Sequence, residues 1–327
     1  MDYPNLTSFI KSEGRSLAKG PIALLFIEDD VKVETTLDHH IKLGFKQIIV
    51  LAKSLPDVDE DTLTQVTTVY VDTFADDCVE RTVNTLMPHV AGAWVYVGFN
   101  AEYLIFPFSS SRSVAELLAF HNEERRGSML TYVVDLYAGD LNADPTGVNV
   151  DDAYLDRAGY YALARLDQRT HQPLERQLNF YGGLKWRYEE FVPYERRRID
   201  RMALFQAKPD LVMQEQFLFS DPEYNTYSCP WHNNITAAVA SFRTAKALKR
   251  NPTSSKQIGD FRWFNSVRFS WTDQQFLDLG LIEPGQWFQR RFTKTIHSKI
   301  YPLRFLDSLG TISMSRHGVV SGARYAI

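Results

Sequence analysis

The sequence lacks several features that would assign it to a disulfide-rich, secreted or membrane-spanning class. Its 327 residues include two cysteines, Cys78 and Cys229, which lie far apart and form neither a disulfide framework nor a zinc motif. No uninterrupted apolar run approaches the ~18 residues that a transmembrane helix requires. The N-terminal segment has no basic stretch followed by the long apolar run of a signal peptide. With 44% hydrophobic and 23% charged residues, the composition predicts a soluble, globular, cytoplasmic protein.

The short motifs of several common enzyme classes are also absent. No G-x-G-x-x-G follows the first predicted strand, and no G-x-x-x-x-G-K-[ST] occurs, which argues against the usual dinucleotide-binding and P-loop proteins. H-E-x-x-H and G-x-S-x-G are missing too, which argues against zinc proteases and serine hydrolases. Neither cysteine lies in a context typical of a catalytic nucleophile.

Negative charge is concentrated in the first half of the chain. The formal charge is −11 over residues 1–150, +1 over residues 151–284 and +6 from residue 285 to the end. The basic C-terminal segment predicts either a peripheral contact with an anionic membrane or a solvated end whose charge balances the body. Nucleic acid is not an expected partner, because the acidic first half would repel a phosphate backbone.

Strand-like and helix-like patterns alternate through the first half. Because such alternation is typical of a parallel sheet covered by helices, we predict an α/β fold with a mostly parallel, mixed sheet. A capping box of Ser113 and Glu116 marks the start of one helix. The predicted strands are residues 22–27, 47–52, 68–71, 93–99 and 131–137, with helices near 33–43 and 75–88.

The second half gives fewer signals. Residues 236–250 are rich in alanine and end in cations, which predicts one helix that stops at Asn251 and Pro252. We therefore predict a domain over residues 1–250 and a helical, basic C-terminal extension over residues 251–327.

Several ordered segments together resemble family-2-like glycosyltransferases, which have a GT-A-like fold. The first helix ends in His39-His40-x-x-Leu43-Gly44, similar to the "hh..LG" helix of that family. The stretch from Trp94 to Pro107 resembles the family's "W…D-x-D-E-F-L-x-x-P" segment. Further on, Gly182-Gly183-x-Lys185-x-Arg187 is similar to its "GG-x-R-x-R" segment, and Trp231-His232-Asn233 takes the place of its "LHFK"-type stretch.

The resemblance implies transfer of a sugar from a nucleotide-diphospho-sugar donor. The implied acceptor is a polysaccharide, a lipid-linked carbohydrate or another envelope component, met in the cytoplasm or at the inner face of the membrane. Members of the family use a divalent cation, Mn²⁺ or Mg²⁺, at the D-x-D aspartates.

The chain departs from the family at those aspartates. When the segment is aligned on Glu102, they fall on Phe99 and Ala101, which cannot ligate a cation that requires oxygen ligands. Asn100 and Glu102 are the oxygen donors that remain. Three interpretations follow: lysine and arginine replace the metal, Glu102 and a distant carboxylate hold it, or the chain is a non-catalytic protein that binds nucleotide or carbohydrate.

Candidate binding residues follow from strand exits and from the chemistry of phosphate. Glycyl backbone N–H groups and cationic side chains are suited to a diphosphate, and polar residues after a buried strand face the ligand in such sheets. The predicted substrate- and nucleotide-binding residues are Glu28, Asp29, Lys53, Asn100, Glu102, Gly182, Gly183, Lys185, Arg187 and His232.

If transfer inverts the anomeric centre, a carboxylate must remove the proton of the acceptor hydroxyl. Asp210, Glu215, Asp221 and Glu223 precede His232, and the sequence does not choose among them. His232 itself is open to two interpretations, a ligand contact or a histidine bonded to backbone.

Overall fold

The structure is a computed structural model that describes residues 1–14, 17, 20–229 and 234–284. In chain order its strands are β1 (Asp2–Tyr3), β2 (Ile22–Phe26), β3 (Gln47–Ala52), β4 (Thr67–Tyr70), β5 (Trp94–Phe99), β6 (Glu102–Ile105), β7 (Ser128–Ala138), β8 (Ala153–Asp156), β9 (Tyr161–Leu166), β10 (Pro173–Tyr181), β11 (Asp200–Gln206), β12 (Met213–Gln214), β13 (Leu218–Phe219), β14 (Ala237–Ser241) and β15 (Ser266–Arg268).

Helices connect most of the strands in the first half of the chain, and the remaining helices lie in its second half. They are α1 (Leu6–Glu13), α2 (Val33–Lys42), α3 (Glu60–Thr64), α4 (Cys78–Leu86), α5 (Val114–Glu123), α6 (Gly183–Arg187), α7 (Arg243–Arg250), α8 (Pro252–Gln257) and α9 (Asp273–Asp278). None of the helices in the described ranges is long and apolar enough to cross a membrane.

One large mixed sheet organises the chain, with strand order β1-β4-β3-β2-β5-β11-β7-β14-β6. The block from β1 to β5 is parallel, as is the β7–β14 pair. Strand β11 runs antiparallel to both β5 and β7, and β6 runs antiparallel to β14. Off this path, β8 pairs with β7 and β15 with β8. The predicted α/β class with a mixed sheet flanked by helices is confirmed.

Both faces of the sheet are buried, which explains the continuous apolar runs in its strands. Along β2 the side chains alternate between two cores: Leu24 packs on the face that carries α1 and α4, and Leu25 packs on the face that carries α2 and α5. A third, smaller core joins α6, α7 and the end of β7.

The predicted helix over residues 236–250 is wrong over residues 236–242. Residues Ala237–Ser241 form β14, which is buried between β7 and β6, and the helix begins only at Arg243. Alanine favours a helix locally, but here pairing with two neighbouring strands outweighs that preference. A strand buried on both faces also shows no alternation that would separate it from a helix in sequence.

The described part of the predicted C-terminal extension packs against the same cores. Strand β15 pairs with β8, while Phe276 and Ile282 belong to the core beneath α1 and α4. The basic segment after residue 284 lies outside the described residues.

The predicted capping box is present at the start of α5. The Ser113 hydroxyl accepts a hydrogen bond from the Glu116 N–H, and the Glu116 carboxylate accepts one from the Ser113 N–H. We expect Ser113→Ala to lower the free energy of unfolding by about 1 kcal/mol, since the Glu116 N–H loses its side-chain acceptor. Urea unfolding measures this, with the exposed Ser111→Ala as the matched control. Equal effects of the two substitutions would contradict a stabilising cap.

Candidate functional site

The sheet reverses its strand order between β2 and β5. From β2 the chain builds outward through β3 and β4 on one side, whereas β5 lies on the other. Phe26 of β2 and Phe99 of β5 are register partners, so the residues that follow them meet at one edge. In open α/β sheets a ligand crevice forms beyond the carboxyl ends of strands at such a reversal. This carboxyl edge is therefore the candidate site.

Asn100 ties the two strand exits together. Its Oδ1 accepts the Glu28 N–H at 2.9 Å, and its Nδ2 donates to Asp29 Oδ1 at 2.7 Å and to the Val31 carbonyl at 2.9 Å. The side chain is fully buried. Both polar atoms of Asn100 are thus engaged by the chain itself, and the residue fixes the shape of the edge.

Glu102, at the start of β6, is held by a bidentate contact with Arg201 of β11. The Arg201 guanidinium donates at 2.6 Å and 3.0 Å to its two oxygens. The Ser241 hydroxyl and the Phe99 N–H donate one further bond each, both at 3.1 Å. Burial disfavours the ionised carboxylate, but the charges of Arg201 and Arg243 outweigh that effect and hold the pKa of Glu102 below its ordinary value.

These contacts do not fit Glu102 as a metal ligand. Both oxygens already accept bonds from the protein, and the nearest charges are guanidinium groups, which repel a divalent cation. Within the described ranges, no group of three or more histidine, cysteine, aspartate or glutamate side chains is placed to hold a metal ion.

Helix α7 directs three cations at the first strand exit. Arg243 pairs with Glu28 at 2.6 Å, while Lys246 and Arg250 contact Asp29 at 2.8 Å and 2.6 Å. Burial raises the pKa of Asp29, but hydrogen bonding and charge from Lys246 turn the net shift downward. The predicted binding residues Glu28 and Asp29 therefore lie at the edge, each neutralised by a cation.

Arg243 is the cation that joins this group to Glu102. Its guanidinium lies 3.5 Å from the centre of the Phe99 ring and 3.9 Å from Glu102 Oε1. Its side chain is 29% exposed, so part of its charge faces solvent at this edge.

The Gly182–Gly183 segment lies against the carboxyl end of β7. Gly183 has φ +63°, and a Cβ at that position would come within 2.7 Å of Asp135 Oδ2. Both the conformation and the space therefore require glycine. The Lys185 ammonium, two residues on, donates to the Arg198 carbonyl at 3.0 Å, and burial lowers its pKa to about 8.

Arg187 is engaged by other residues of the protein. Its guanidinium pairs with Asp156 at 3.1 Å and stacks on the Trp263 ring at 4.6 Å. Asp156 also accepts from the Tyr137 hydroxyl at 2.6 Å. Arg187 therefore stabilises the third core, and its guanidinium is not available to bind a phosphate.

Three of the four candidate bases lie at the opposite edge of the sheet. Glu223 pairs with Arg126, which precedes β7, and Asp221 pairs with Lys208, which follows β11. Asp210 is exposed in the turn that Lys208 begins. Since β11 is antiparallel to its neighbours, its end lies beside their amino ends.

Glu215 lies on the side of the candidate site. It opens a short 3-10 segment in which Gln216 accepts a bond from Arg198 at 2.6 Å. The Phe217 ring lies 4.7 Å from the Arg201 guanidinium. Glu215 itself is exposed.

Lys53 and His232 are the two remaining predicted binding residues. Lys53 is exposed just after β3, and His232 lies outside the described residues.

Sequence reasoning missed Arg201, Arg243 and Lys246 as site residues. The signal for α7 was present, since Arg243, Lys246 and Arg250 are spaced three and four apart and share one helix face. The spacing could not show that this face meets Glu28 and Asp29.

The comparisons with known proteins give no assignment. The chain matches no known family model, and no curated protein matches its sequence.

The Glu102–Arg201 pair predicts a pH-dependent loss of stability. Because the pKa of Glu102 is lower in the folded than in the unfolded chain, the stabilisation is complete above the ordinary value of 4.5 and is lost as the pH falls through the folded value. Glu102→Gln leaves Arg201 buried without a counter-charge and should cost about 3 kcal/mol near neutral pH. The deficit should shrink below about pH 4.5.

Urea unfolding across that pH range tests this expectation. Glu123→Gln, at an exposed position on α5, is the matched control. A deficit for Glu102→Gln that stays constant down to low pH would show that the ion pair does not stabilise the fold.

Proposed function

We propose that the chain is a glycosyltransferase that binds a nucleotide-diphospho-sugar through its own cations and without a divalent metal. The observation that carries the proposal is the corner at Glu102, where the guanidinium groups of Arg201 and Arg243 lie beside its carboxylate. It lies at the strand-order reversal, where ligands of open α/β sheets bind. The resemblance in sequence indicates the reaction class, and the arrangement of Arg201 and Arg243 provides positive charge at this edge.

Glycosyl transfer needs positive charge at the leaving group. The bond from the anomeric carbon to the diphosphate oxygen breaks, and its electron pair goes to the nucleoside diphosphate. Guanidinium groups suit this task because two parallel N–H bonds match two phosphate oxygens. Arg243 and Arg250, with 29% and 56% of their side chains exposed, are cations of this edge that solvent reaches.

The carboxylates that pair with Arg243 and Lys246 favour the charged forms of these two side chains. Glu28 and Glu102 raise the pKa of Arg243 against the effect of burial, so the guanidinium stays charged. Burial lowers the pKa of Lys246. Asp29 raises it by less, so the net shift is downward. An arriving diphosphate would share these cations with the carboxylates.

The acceptor and the location follow from the resemblance and from charge. We propose a carbohydrate, polysaccharide or lipid-linked acceptor at the cytoplasmic face of the membrane. Of the four candidate bases, Glu215 is the one whose neighbours contact site residues, through Phe217 and Arg201. The alternative is a non-catalytic protein that binds nucleotide or carbohydrate at this edge, which the pairing of Glu28, Asp29 and Glu102 with cations favours.

Nucleotide binding should be independent of metal and dependent on Arg243. We expect UDP, GDP or their hexose conjugates to raise the melting temperature of the full chain equally in EDTA and in Mn²⁺. Arg243→Met should weaken that binding by about 10-fold or more, since it removes charge-assisted hydrogen bonds. Thermal shift and titration calorimetry measure both effects.

Matched variants separate binding from folding. Arg81→Met removes an exposed cation of α4 that pairs with Asp77, and should leave binding unchanged. The double variant Glu28→Gln/Arg243→Met removes the counter-charge as well, so its stability reports the fold. Binding that needs Mn²⁺ would overturn the metal-free site. Binding without release of nucleoside diphosphate would favour the non-catalytic alternative, and binding of neither a nucleotide nor a carbohydrate would overturn both.

The basic C-terminal segment should add affinity for anionic membranes. Removing residues 285–327 takes away a charge of +6. We expect the full chain, and not a chain ending at residue 284, to float with vesicles that contain anionic lipid, and to lose this binding at high salt. Neutral vesicles are the control, and equal flotation of the two chains would contradict a membrane role.

A further inference from the structure

Asp135 lies deep in the carboxyl edge, one strand away from the Glu102 corner. It is on β7 and is the register partner of Ser241 on β14, whose hydroxyl contacts Glu102. Its side chain is 1% exposed. Gly183 packs directly against the carboxylate. Asp135 is therefore a buried carboxylate inside the proposed site.

One oxygen of this carboxylate has no hydrogen-bond partner. Oδ2 accepts the Lys185 N–H at 3.4 Å. Oδ1 is buried and lies within hydrogen-bond geometry of no donor among the described residues, although the Thr244 hydroxyl of α7 lies close enough to the carboxylate to lower its pKa. A buried carboxylate oxygen without a partner lowers stability, so the arrangement is costly for the fold alone.

The other buried carboxylates of this edge are satisfied by the chain. Glu102 has Arg201 on both oxygens, and Asp156 has Arg187 and a tyrosine hydroxyl. Asp200 accepts from Arg165 at 2.9 Å. Asp135 has no guanidinium partner among the described residues, and burial raises its pKa, with the charge of Lys185 and the Thr244 hydroxyl offsetting this only in part.

We propose that Asp135 Oδ1 accepts a hydrogen bond from a hydroxyl group of the bound sugar. The inference rests on the proposed function in so far as a nucleotide carries that sugar to the site. Sugar hydroxyls are strong donors, and a carboxylate in a dry site binds them tightly. A site built to bond a hydroxyl rejects ligands that lack it, so Asp135 distinguishes the nucleotide sugar from the bare nucleotide.

To reach Asp135, the sugar hydroxyl must pass the residues that bury this side chain. The turn at Gly183 and helix α6, which is five residues long, lie directly against it. Sugar binding therefore displaces this turn. Amide hydrogen exchange at residues 182–187 should differ between the complex with UDP-glucose and the complex with UDP, and identical exchange would count against the proposal.

Asp135→Asn tests the role of the carboxylate without changing its size. For the full-length chain we expect nucleotide sugars, probed with UDP-glucose and GDP-mannose, to bind about 10- to 100-fold more tightly than UDP and GDP. In Asp135→Asn that difference should fall to about threefold or less, while the affinity for UDP and GDP stays the same. Titration calorimetry measures all four ligands.

The stability of the unliganded variant provides a second readout. If Asp135 serves a ligand, Asp135→Asn should melt at the same or a higher temperature, because a buried unpaired charge is removed. If Asp135 serves the fold, or binds only a buried water, the variant should melt lower or lose affinity for every ligand alike. Asp152→Asn, at a half-buried carboxylate that pairs with Arg268, is the matched control and should change neither quantity.

The outcomes separate this inference from the proposed function. If the wild type binds bare UDP or GDP but Asp135→Asn keeps the preference for the sugar conjugate, the proposed function stands and the role of Asp135 is overturned. If the wild type binds no nucleotide but free glucose or mannose raises its melting temperature in an Asp135-dependent way, the hydroxyl site stands and the nucleotide proposal falls. If neither a nucleotide nor a free sugar binds, both are overturned.

Discussion

The buried ion pair of Glu102 and Arg201 is the interaction on which the carboxyl edge depends. A carboxylate with no exposed surface is stable only when donors surround it, and here they come from β5, β11 and β14. These contacts join residues 99 and 139 positions apart in sequence. The pair is therefore satisfied only when β11 and β14 take their places in the sheet, and it couples the local geometry of the site to the strand order.

The same pairing explains the uneven charge along the chain. Residues 1–150 carry a charge of −11, and they supply Glu28, Asp29 and Glu102. The cations that neutralise them, Arg201, Arg243 and Lys246 among others, come from residues 151–284. The two parts of the sequence meet at one edge of the sheet because β11 and α7 return to it. Asp135 differs from these neutralised carboxylates, since no donor in the described ranges is within hydrogen-bond geometry of its Oδ1.

Much of the fold could be predicted from local patterns. The apolar runs at β2, β3, β5 and β7 identified buried strands because each pattern is set by residues next to one another. The capping box at Ser113 was readable for the same reason. The failure at β14 has a physical cause: a small, fully buried alanine-rich strand has no periodicity of its own, and only its neighbours β7 and β6 make it a strand.

For the site, the sequence by itself determined the α/β class, the polar residues at the exits of β2 and β5, and the lack of a carboxylate at Phe99 and Ala101. The tertiary structure alone decided that Arg201 closes the Glu102 corner, that Arg187 turns to Asp156, and that Glu223 lies at the far edge. Hydrophobic periodicity is a property of adjacent residues, so the sequence contains it directly. An ion pair depends on strand order and direction, because one antiparallel strand, β11, places its two ends at opposite edges of the sheet.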